Sequence, residues 1–201
     1  NEDKPVSVEG IAWKAIFLDE KWVYREYQSQ VRRLNINNKN YNIVSTLSEL
    51  KSRILRGEDK KTEFKETFNL DVRTQTKEKH IVEACIKSVA GFLNSEGGEL
   101  FIGVKDDGEI LGINKEVDLF FKNNDKFKLH FFHVMKKEFK EKISTLIEYS
   151  IIEEKGKDVL VINCTRSEVP IFINNDQDFY IRADPLSQIL KGRDVVEYIN
   201  H

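Results

Sequence analysis

Three acidic positions have the chemistry of a divalent-metal site. Glu58 and Glu63 stand on either side of a short polar segment, and a further acidic pair, Asp106 and Asp107, follows an apolar run. Mg²⁺ and Mn²⁺ prefer oxygen ligands, so two glutamates and one of these aspartates would hold such a cation if the fold brings them together. The metal would activate water for in-line attack on a phosphate. Lys65, close to Glu63 in sequence, would lie beside the metal and neutralise the pentavalent phosphate.

The same residues also have an ordinary structural interpretation. Glu58 follows Gly57 in a polar connection where a carboxylate is simply solvated, and aspartates are favoured in hairpin turns whatever else they do. Glu63 and Lys65 would then form an ion pair on a wet face of a strand. The spacing alone leaves both interpretations open.

A second candidate site is basic. Lysines outnumber acidic residues over 122–142, with phenylalanines and histidines between them. We assign nucleic-acid contact to Lys136, Lys137 and Lys140, where lysines would meet phosphates while an exposed aromatic ring stacks on a base. Arg182, at the end of a predicted strand, would either contact phosphate or pair with an acid of the carboxylate cluster. A lysine-rich helix is equally typical of a solvated surface.

Other chemistry is less well supported. His130 and His133 would share a helical face, but no third metal ligand accompanies them. Cys85 and Cys164 lack metal-type spacing, which favours two core thiols in a reduced, cytoplasmic protein. No phosphate-binding glycine loop is present, so no nucleotide cofactor is expected.

The elements that must position these residues are clearest around Gly97 and Gly98. An apolar periodicity of three and four predicts a helix over 77–94, which the glycines end. A buried strand follows over 100–104, and then a tight turn and a returning strand. Asn94 is expected to cap this helix or brace the turn after it.

The rest of the domain alternates helices and strands. A capping box at Thr46 begins a short helix, residues 62–68 read as a strand, and 116–142 read as a helix interrupted near 123–124. Further strands are predicted over 143–152, 158–164, 170–173 and 179–182, and a last helix over 186–199. This order predicts an α+β fold with a mixed, largely antiparallel sheet and packed helices.

Composition limits the class of protein. The 201 residues are 40% hydrophobic and 33% charged with a net charge of -2, so any nucleic acid must meet a local basic surface. No apolar run reaches the roughly 20 residues of a membrane helix, so no membrane contact is expected.

We predict a hairpin or linker over 1–45, with a turn at 19–21, and one domain over 46–201. Since the chain starts with Asn1, more sequence is expected upstream.

Several motifs together resemble the Schlafen-type AlbA domain. They are a Glu-Phe-Lys strand at residues 63–65, Asn94 at a helix end, the Gly-Gly pair at 97–98, Ile-Gly-Val at 102–104, and Asp-Asp-Gly-Glu-Ile followed by Gly-Ile over 106–113. The resemblance covers roughly residues 46–190.

The resemblance implies two kinds of function. Ribonuclease members of this family use two glutamates with the separation of Glu58 and Glu63, together with an aspartate after the Gly-Val strand. This implies Asp106 as the third ligand of Mg²⁺ or Mn²⁺, although Lys105 stands where many members have the first acid of the turn. Other members bind nucleic acid, and the resemblance also suggests a homodimer.

We therefore predict a nucleic-acid-binding module, for RNA or single-stranded DNA rather than a specific duplex, because no recognition helix stands out. The first alternative is a metal-dependent endoribonuclease that uses the Glu/Glu/Asp cluster. The second is a protein-interaction or regulatory module in which that cluster is inactive.

Overall fold

The computed structural model of the chain describes residues 6–8, 11–13, 48–183 and 186–200, the first two ranges by their backbone alone. The chain divides into two compact units, residues 1–56 and 57–201. The predicted domain boundary after residue 45 falls outside the described residues and stays a prediction.

The first unit contains a short hairpin and a helix. Strand β1 (Val6–Val8) pairs antiparallel with β2 (Ile11–Trp13), and helix α1 covers Glu49–Ile54. The N-cap of α1 is Ser48, whose hydroxyl oxygen accepts from the Lys51 N–H at 3.1 Å. The predicted cap Thr46, the turn at 19–21 and the linker lie outside the described residues.

The second unit is α+β, as predicted. Its strands are β3 (Thr62–Lys65), β4 (Leu70–Asp71), β5 (Thr76–Lys77), β6 (Gly98–Ile102), β7 (Ile147–Glu154), β8 (Lys157–Cys164), β9 (Phe172–Ile173), β10 (Asp178–Ala183) and β11 (Leu186–Leu190). Its helices are α2 (Lys79–Leu93), α3 (Asn114–Phe120), α4 (Asn124–Phe139), α5 (Lys142–Leu146) and α6 (Arg193–Ile199).

The sheets are mixed and mostly antiparallel. The larger sheet has the order β3-β6-β8-β7, in which β3 runs parallel to β6 and the other pairs are antiparallel. A second sheet has the order β11-β10-β9, and β4 pairs with β5. Parallel neighbours need a crossover connection, and α2 lies within the segment that joins β3 to β6.

Helix α2 is the centre of the unit and matches the helix predicted over 77–94. It packs against β6 of the larger sheet and against β10 of the smaller one. Burial raises the pKa of the Cys85 and Cys164 thiols to about 12, so both cysteines behave as core residues. None of the described helices is long and apolar enough to span a membrane. The buried residues of α2 are Cys85, Ile86, Ser88, Val89, Ala90, Gly91, Phe92 and Leu93.

Two predicted elements are wrong. Residues 143–146 belong to helix α5 rather than to a strand, which starts only at Ile147. Leu186–Leu190 is strand β11 rather than the start of the last helix, because its backbone pairs with β10 along its whole length. Its apolar residues have the spacing of a helical face, and hydrogen bonding to a neighbouring strand overrides that local pattern.

Strand boundaries also shift around the glycine pair. Strand β6 begins at Gly98 and ends before Gly103, and β3 ends at Lys65 rather than at residue 68. The predicted returning strand is reduced to an isolated bridge between Val104 and Ile110.

Gly97 is required in the turn after α2 for two physical reasons. Its φ is +76°, which side-chain-bearing residues rarely adopt, and a Cβ there would lie 2.6 Å from the Cys164 carbonyl oxygen. Its N–H donates to the Phe92 carbonyl at 3.0 Å, which closes the helix end. The turn from α2 into β6 therefore requires glycine.

We expect Gly97→Ala to destabilise the protein by about 2 kcal/mol more than Gly156→Ala, measured by urea unfolding. Gly156 is a matched control, since its φ is +80° and a Cβ at that position would have nothing within 4 Å. Equal losses in the two variants would show that the contact with Cys164 is unimportant.

Candidate functional site

Strand β3 carries Glu63 and Lys65 on the face opposite to Phe64, as its alternation predicts. Phe64 is fully buried and packs edge-on against Phe101. Glu63 is also buried, and its Oε1 accepts from Lys65 Nζ at 2.5 Å. The two charged groups therefore lie together and partly neutralise each other.

Arg182 of β10 reaches the same carboxylate. One of its terminal nitrogens, Nη1, donates to Glu63 Oε2 at 2.8 Å, and Nη2 donates to the Asp59 carbonyl at 2.9 Å. Its side chain is only 1% exposed, and the guanidinium lies 4.8 Å from the centre of the Phe92 ring. Of the two roles left open by the sequence, the structure shows pairing with an acid.

Small residues of α2 leave room for this pair. A Cβ at Gly91 would lie 3.4 Å from Arg182 Cδ and 3.0 Å from the hydroxyl oxygen of Ser187, which also accepts from Arg182 Nη1 at 3.2 Å. Ser88, one turn earlier, places its hydroxyl 3.4 Å from Glu63 Oε1. A helix with larger side chains at these two positions would keep β10 away from β3.

Glu58 accepts a backbone hydrogen bond at the open edge of the larger sheet. Strand β3 lies at that edge, and Glu58 Oε1 accepts from the Phe64 N–H at 2.8 Å. Burial is the main cause that raises the Glu58 pKa. The negative charges of Glu63 and Asp106 raise it further, while the hydrogen bond from Phe64 and the charge of Lys65 lower it.

Asp106 lies in an exposed turn next to this group. The Gly103 and Val104 N–H groups donate to the Lys65 carbonyl at 2.8 and 3.1 Å, which brings the chain before the turn to the end of β3. The N–H of Gly108 donates to the Lys105 carbonyl at 2.8 Å and closes the turn.

The predicted ligands do not fit Mg²⁺ or Mn²⁺ in this conformation. Both oxygens of Glu63 accept hydrogen bonds from cationic side chains, and Glu58 Oε1 accepts from the Phe64 backbone. Within residues 48–183 and 186–200, no group of three or more histidine, cysteine or acidic side chains is arranged to hold a metal ion.

Of the predicted basic residues, Lys136 and Lys137 lie in the last turn of α4, and Lys140 directly follows the helix. Lys136, Lys137 and Lys140 are exposed, with Lys136 Nζ 5.7 Å from the Phe132 ring centre and Lys140 Nζ 3.9 Å from an Asp176 carboxylate oxygen. Most aromatic side chains of α4 are buried in the core, so few remain for stacking on bases. The buried stripe of α4 is Phe127, Phe131, Met135 and Phe139.

Sequence reasoning missed a groove between α2 and α4, which we call the α2–α4 groove. It has a volume of about 470 Å³ and is lined by Lys79 and Lys87 of α2, Lys137 of α4, and Tyr180 of β10. The only sequence signal was the even spacing of charged residues on the outer face of α2. Nothing in that spacing shows which part of the chain faces those lysines.

A second residue missed by sequence reasoning is Glu116, which is 1% exposed. Its carboxylate accepts from the Phe68 and Asn69 N–H groups at 2.9 and 2.7 Å, and from the Asn69 side chain at 2.9 Å. His130 Nε2 lies 3.1 Å from Asn69 Oδ1, and burial lowers the His130 pKa. His130 is thus part of a buried structural network, whereas His133 is exposed. The sequence signal for a buried Glu116 was its position on the otherwise apolar face of α3.

Asn94 is the C-cap residue of α2, as expected, while its side chain bonds to the smaller sheet rather than to the glycine turn. Its side-chain amide donates to the carbonyls of Ile171 and Tyr180 at 2.8 and 2.9 Å and accepts from the Ile171 N–H at 2.8 Å. It therefore ties the end of α2 to the smaller sheet.

Comparisons with known proteins identify one family. Residues 58–191 match the family described as Schlafen, AlbA_2. No curated protein matches significantly. The crystal structure of the DIP2311 protein from Corynebacterium diphtheriae is similar, with 18% sequence identity and a TM-score of 0.47 over 69% of this chain and 26% of that chain. This chain thus spans about a quarter of that protein's length.

We expect Arg182→Met to destabilise the protein by about 3 kcal/mol in urea unfolding, because it leaves the buried Glu63 carboxylate with one fewer cation. Adding Glu63→Leu should restore most of the loss, since an apolar pair of similar volume no longer buries an uncompensated charge. Arg193→Met is the matched control, because its pair with Glu197 is exposed and should contribute less than about 0.5 kcal/mol. If the stability losses of Arg182→Met and Glu63→Leu simply add in the double variant, the two residues do not form a stabilising pair.

We expect Glu58→Gln to gain stability relative to the wild type as pH rises. The raised pKa means that folded Glu58 holds its proton over a pH range in which the unfolded chain has lost it. Wild-type stability therefore falls as pH rises from the ordinary glutamate pKa, about 4.3, towards the folded value, while glutamine does not titrate.

Asp71→Asn is the control with the opposite sign. Hydrogen bonds from the Thr74 and Arg73 N–H groups lower the Asp71 pKa, so the wild type should lose its advantage over this variant as pH falls. Urea unfolding measured from below the ordinary aspartate pKa, about 3.9, to above the ordinary glutamate pKa, about 4.3, covers both differences. A Glu58→Gln difference that does not change with pH would contradict the assignment.

Proposed function

The chain belongs to the Schlafen AlbA_2 family, and on that premise we propose that it is a module that binds single-stranded nucleic acid, RNA or DNA, through lysines of α2 and α4. Family membership supports a nucleic-acid-related role. The observation that carries the proposal is that Lys79 and Lys87 of α2 line the same groove as Lys137 of α4.

The basic character of this surface is local. Lys79 pairs with Glu83 at 3.1 Å, and Lys140 lies 3.9 Å from Asp176. Lys87, Lys136 and Lys137 form no ion pair with any residue that the structure describes. These three cations are therefore available for phosphates, although the whole chain carries a net charge of -2.

A flexible single strand suits this surface better than a duplex. The lysines lie on two helices with a groove between them, so a strand must follow the groove to reach both sets. Single strands bend to follow such grooves, and their unstacked bases are available for contact.

Binding is a better proposal than cleavage. Glu58, Glu63 and Asp106 are not grouped as a metal site among the described residues, and the Glu63 charge is already paired with Arg182 and Lys65. An endonuclease that uses Glu58, Glu63 and Asp106 with Mg²⁺ or Mn²⁺ stays the alternative. The protein-interaction module is the remaining alternative, and the homodimer stays a prediction.

We expect the wild type to bind a short fluorescent oligouridylate with an affinity that falls as salt rises. Replacing Lys136, Lys137 and Lys140 together by glutamine should weaken binding and reduce the slope of log K against log salt by about 2, since each contact with a single strand contributes roughly 0.7. Fluorescence anisotropy at several salt concentrations measures both effects.

The control is a triple variant with the same charge change. Lys115, Lys155 and Lys191 are exposed residues outside the groove, and their replacement by glutamine should leave the salt slope close to that of the wild type. Equal effects of the two triple variants would show only a response to net charge. No salt-dependent binding by the wild type would overturn the proposal in favour of the interaction module.

The same oligonucleotide tests the nuclease alternative. Incubation with Mn²⁺ or Mg²⁺ should leave it intact if the module only binds. Cleavage that disappears in Asp106→Asn, an exposed substitution, would establish the enzymatic alternative.

A further inference from the structure

We infer that the α2–α4 groove holds one unpaired nucleotide, whose phosphate meets Lys87 and Lys137 and whose base lies on the apolar floor between them. This inference rests on the proposed function and specifies how the strand is held. The volume of about 470 Å³ is in the range of small-ligand sites, which suits a single nucleotide rather than a helix or a folded partner.

The groove is lined by three acids as well as three lysines, and each acid has a partner within the protein. Glu83 pairs with Lys79, Glu138 Oε2 accepts from the Asn174 N–H at 3.2 Å, and Asp178 Oδ2 accepts from the Asn174 side chain at 3.0 Å. Asn174 is neutral, so Glu138 and Asp178 keep their negative charge, and of these three acids only Glu83 is paired with a lysine of the groove.

Lys87 and Lys137 provide the charge for an anion. They come from different helices, and neither pairs with a carboxylate among residues 48–183 and 186–200. The groove is partly open to solvent, so both ammonium groups stay hydrated and charged without a ligand. A phosphate bound between these two ammonium groups would form a charge-assisted hydrogen bond with each of them.

Tyr180 supports a polar ligand independently. It is 9% exposed, its side chain lines the groove, and the Lys87 ammonium lies 5.9 Å from its ring centre. Its carbonyl accepts from Asn94, but its hydroxyl has no hydrogen-bond partner among the described residues. Arg182 Nε is the buried side-chain atom without a partner among the described residues, so the Tyr180 hydroxyl is open to solvent and accessible to a ligand in the groove.

The floor of the groove is suited to the flat face of a base. Val82 and Ile86 of α2, Val134 of α4 and Ile173 of β9 all line it. Ile86 and Ile173 are already buried, whereas Val82 and Val134 are only partly buried, so a base placed there would cover the remaining apolar surface of these two valines. Apolar contact with the base and charged contact with the phosphate together select a nucleotide over a simple anion.

The test compares groove variants with a charge-matched control in the oligouridylate assay. We expect Lys87→Gln combined with Lys137→Gln to weaken binding at least about tenfold, since each loses a charged contact, whereas Lys115→Gln combined with Lys191→Gln should retain wild-type affinity. Tyr180→Phe should weaken binding about threefold, because it keeps the ring and loses only the hydroxyl.

Competition identifies the ligand class. Uridine 5′-monophosphate should displace the oligouridylate from the wild type at lower concentration than uridine or inorganic phosphate, and should lose that advantage in the Lys87/Lys137 variant. Equal competition by inorganic phosphate would show a simple anion site and overturn the inference.

Two failures are distinguishable. If the wild type binds the oligouridylate and the groove variants bind it equally well, the groove inference is wrong, and the proposed function stands when the Lys136/Lys137/Lys140 variant still weakens binding. If the wild type binds no oligonucleotide, both are wrong.

Discussion

The buried ion pair between Arg182 and Glu63 is the constraint on which the second unit depends. It joins β10 of the smaller sheet to β3 of the larger sheet, two strands that are far apart in sequence. Burying two charges is costly unless both are well bonded, and here Lys65, Ser187 and the Asp59 carbonyl complete most of the bonding. The Arg182 Nε atom is buried without a partner among the described residues, so the arrangement is not fully compensated. Such a pair favours one relative position of the two strands.

This constraint also shapes the chemistry of the carboxylate group. Glu63 is the residue that the resemblance assigns to a metal, yet its carboxylate lies between two cations and holds the sheets together. Glu58 similarly completes the edge of β3 through the Phe64 N–H. Both glutamates therefore contribute to the fold whatever chemistry they support. Their loss in a variant is informative about function only when stability has been measured alongside.

The sequence predicted what local patterns determine. Helix α2 follows from its apolar periodicity, and the α2-to-β6 turn follows from Gly97. The pairing of Glu63 with Lys65 follows from their separation on one strand. Strand β11 was predicted as helix, because the spacing of Leu186, Ile189 and Leu190 does not reveal the strand beside it. The α2–α4 groove was not predicted, since it depends on how distant elements pack.

The groove and the ion pair are linked through one helix–strand contact. Tyr180 and Arg182 are two residues apart on β10, about 6.6 Å along a strand. Lys87 and Gly91, which face them, are four residues apart on α2, about 6 Å along a helix. Because these two distances are nearly equal, packing β10 on α2 with Arg182 against Gly91 also places Tyr180 beside Lys87. A displacement of β10 that released Glu63 from Arg182 would therefore change the groove as well, and the two regions respond to the same movement.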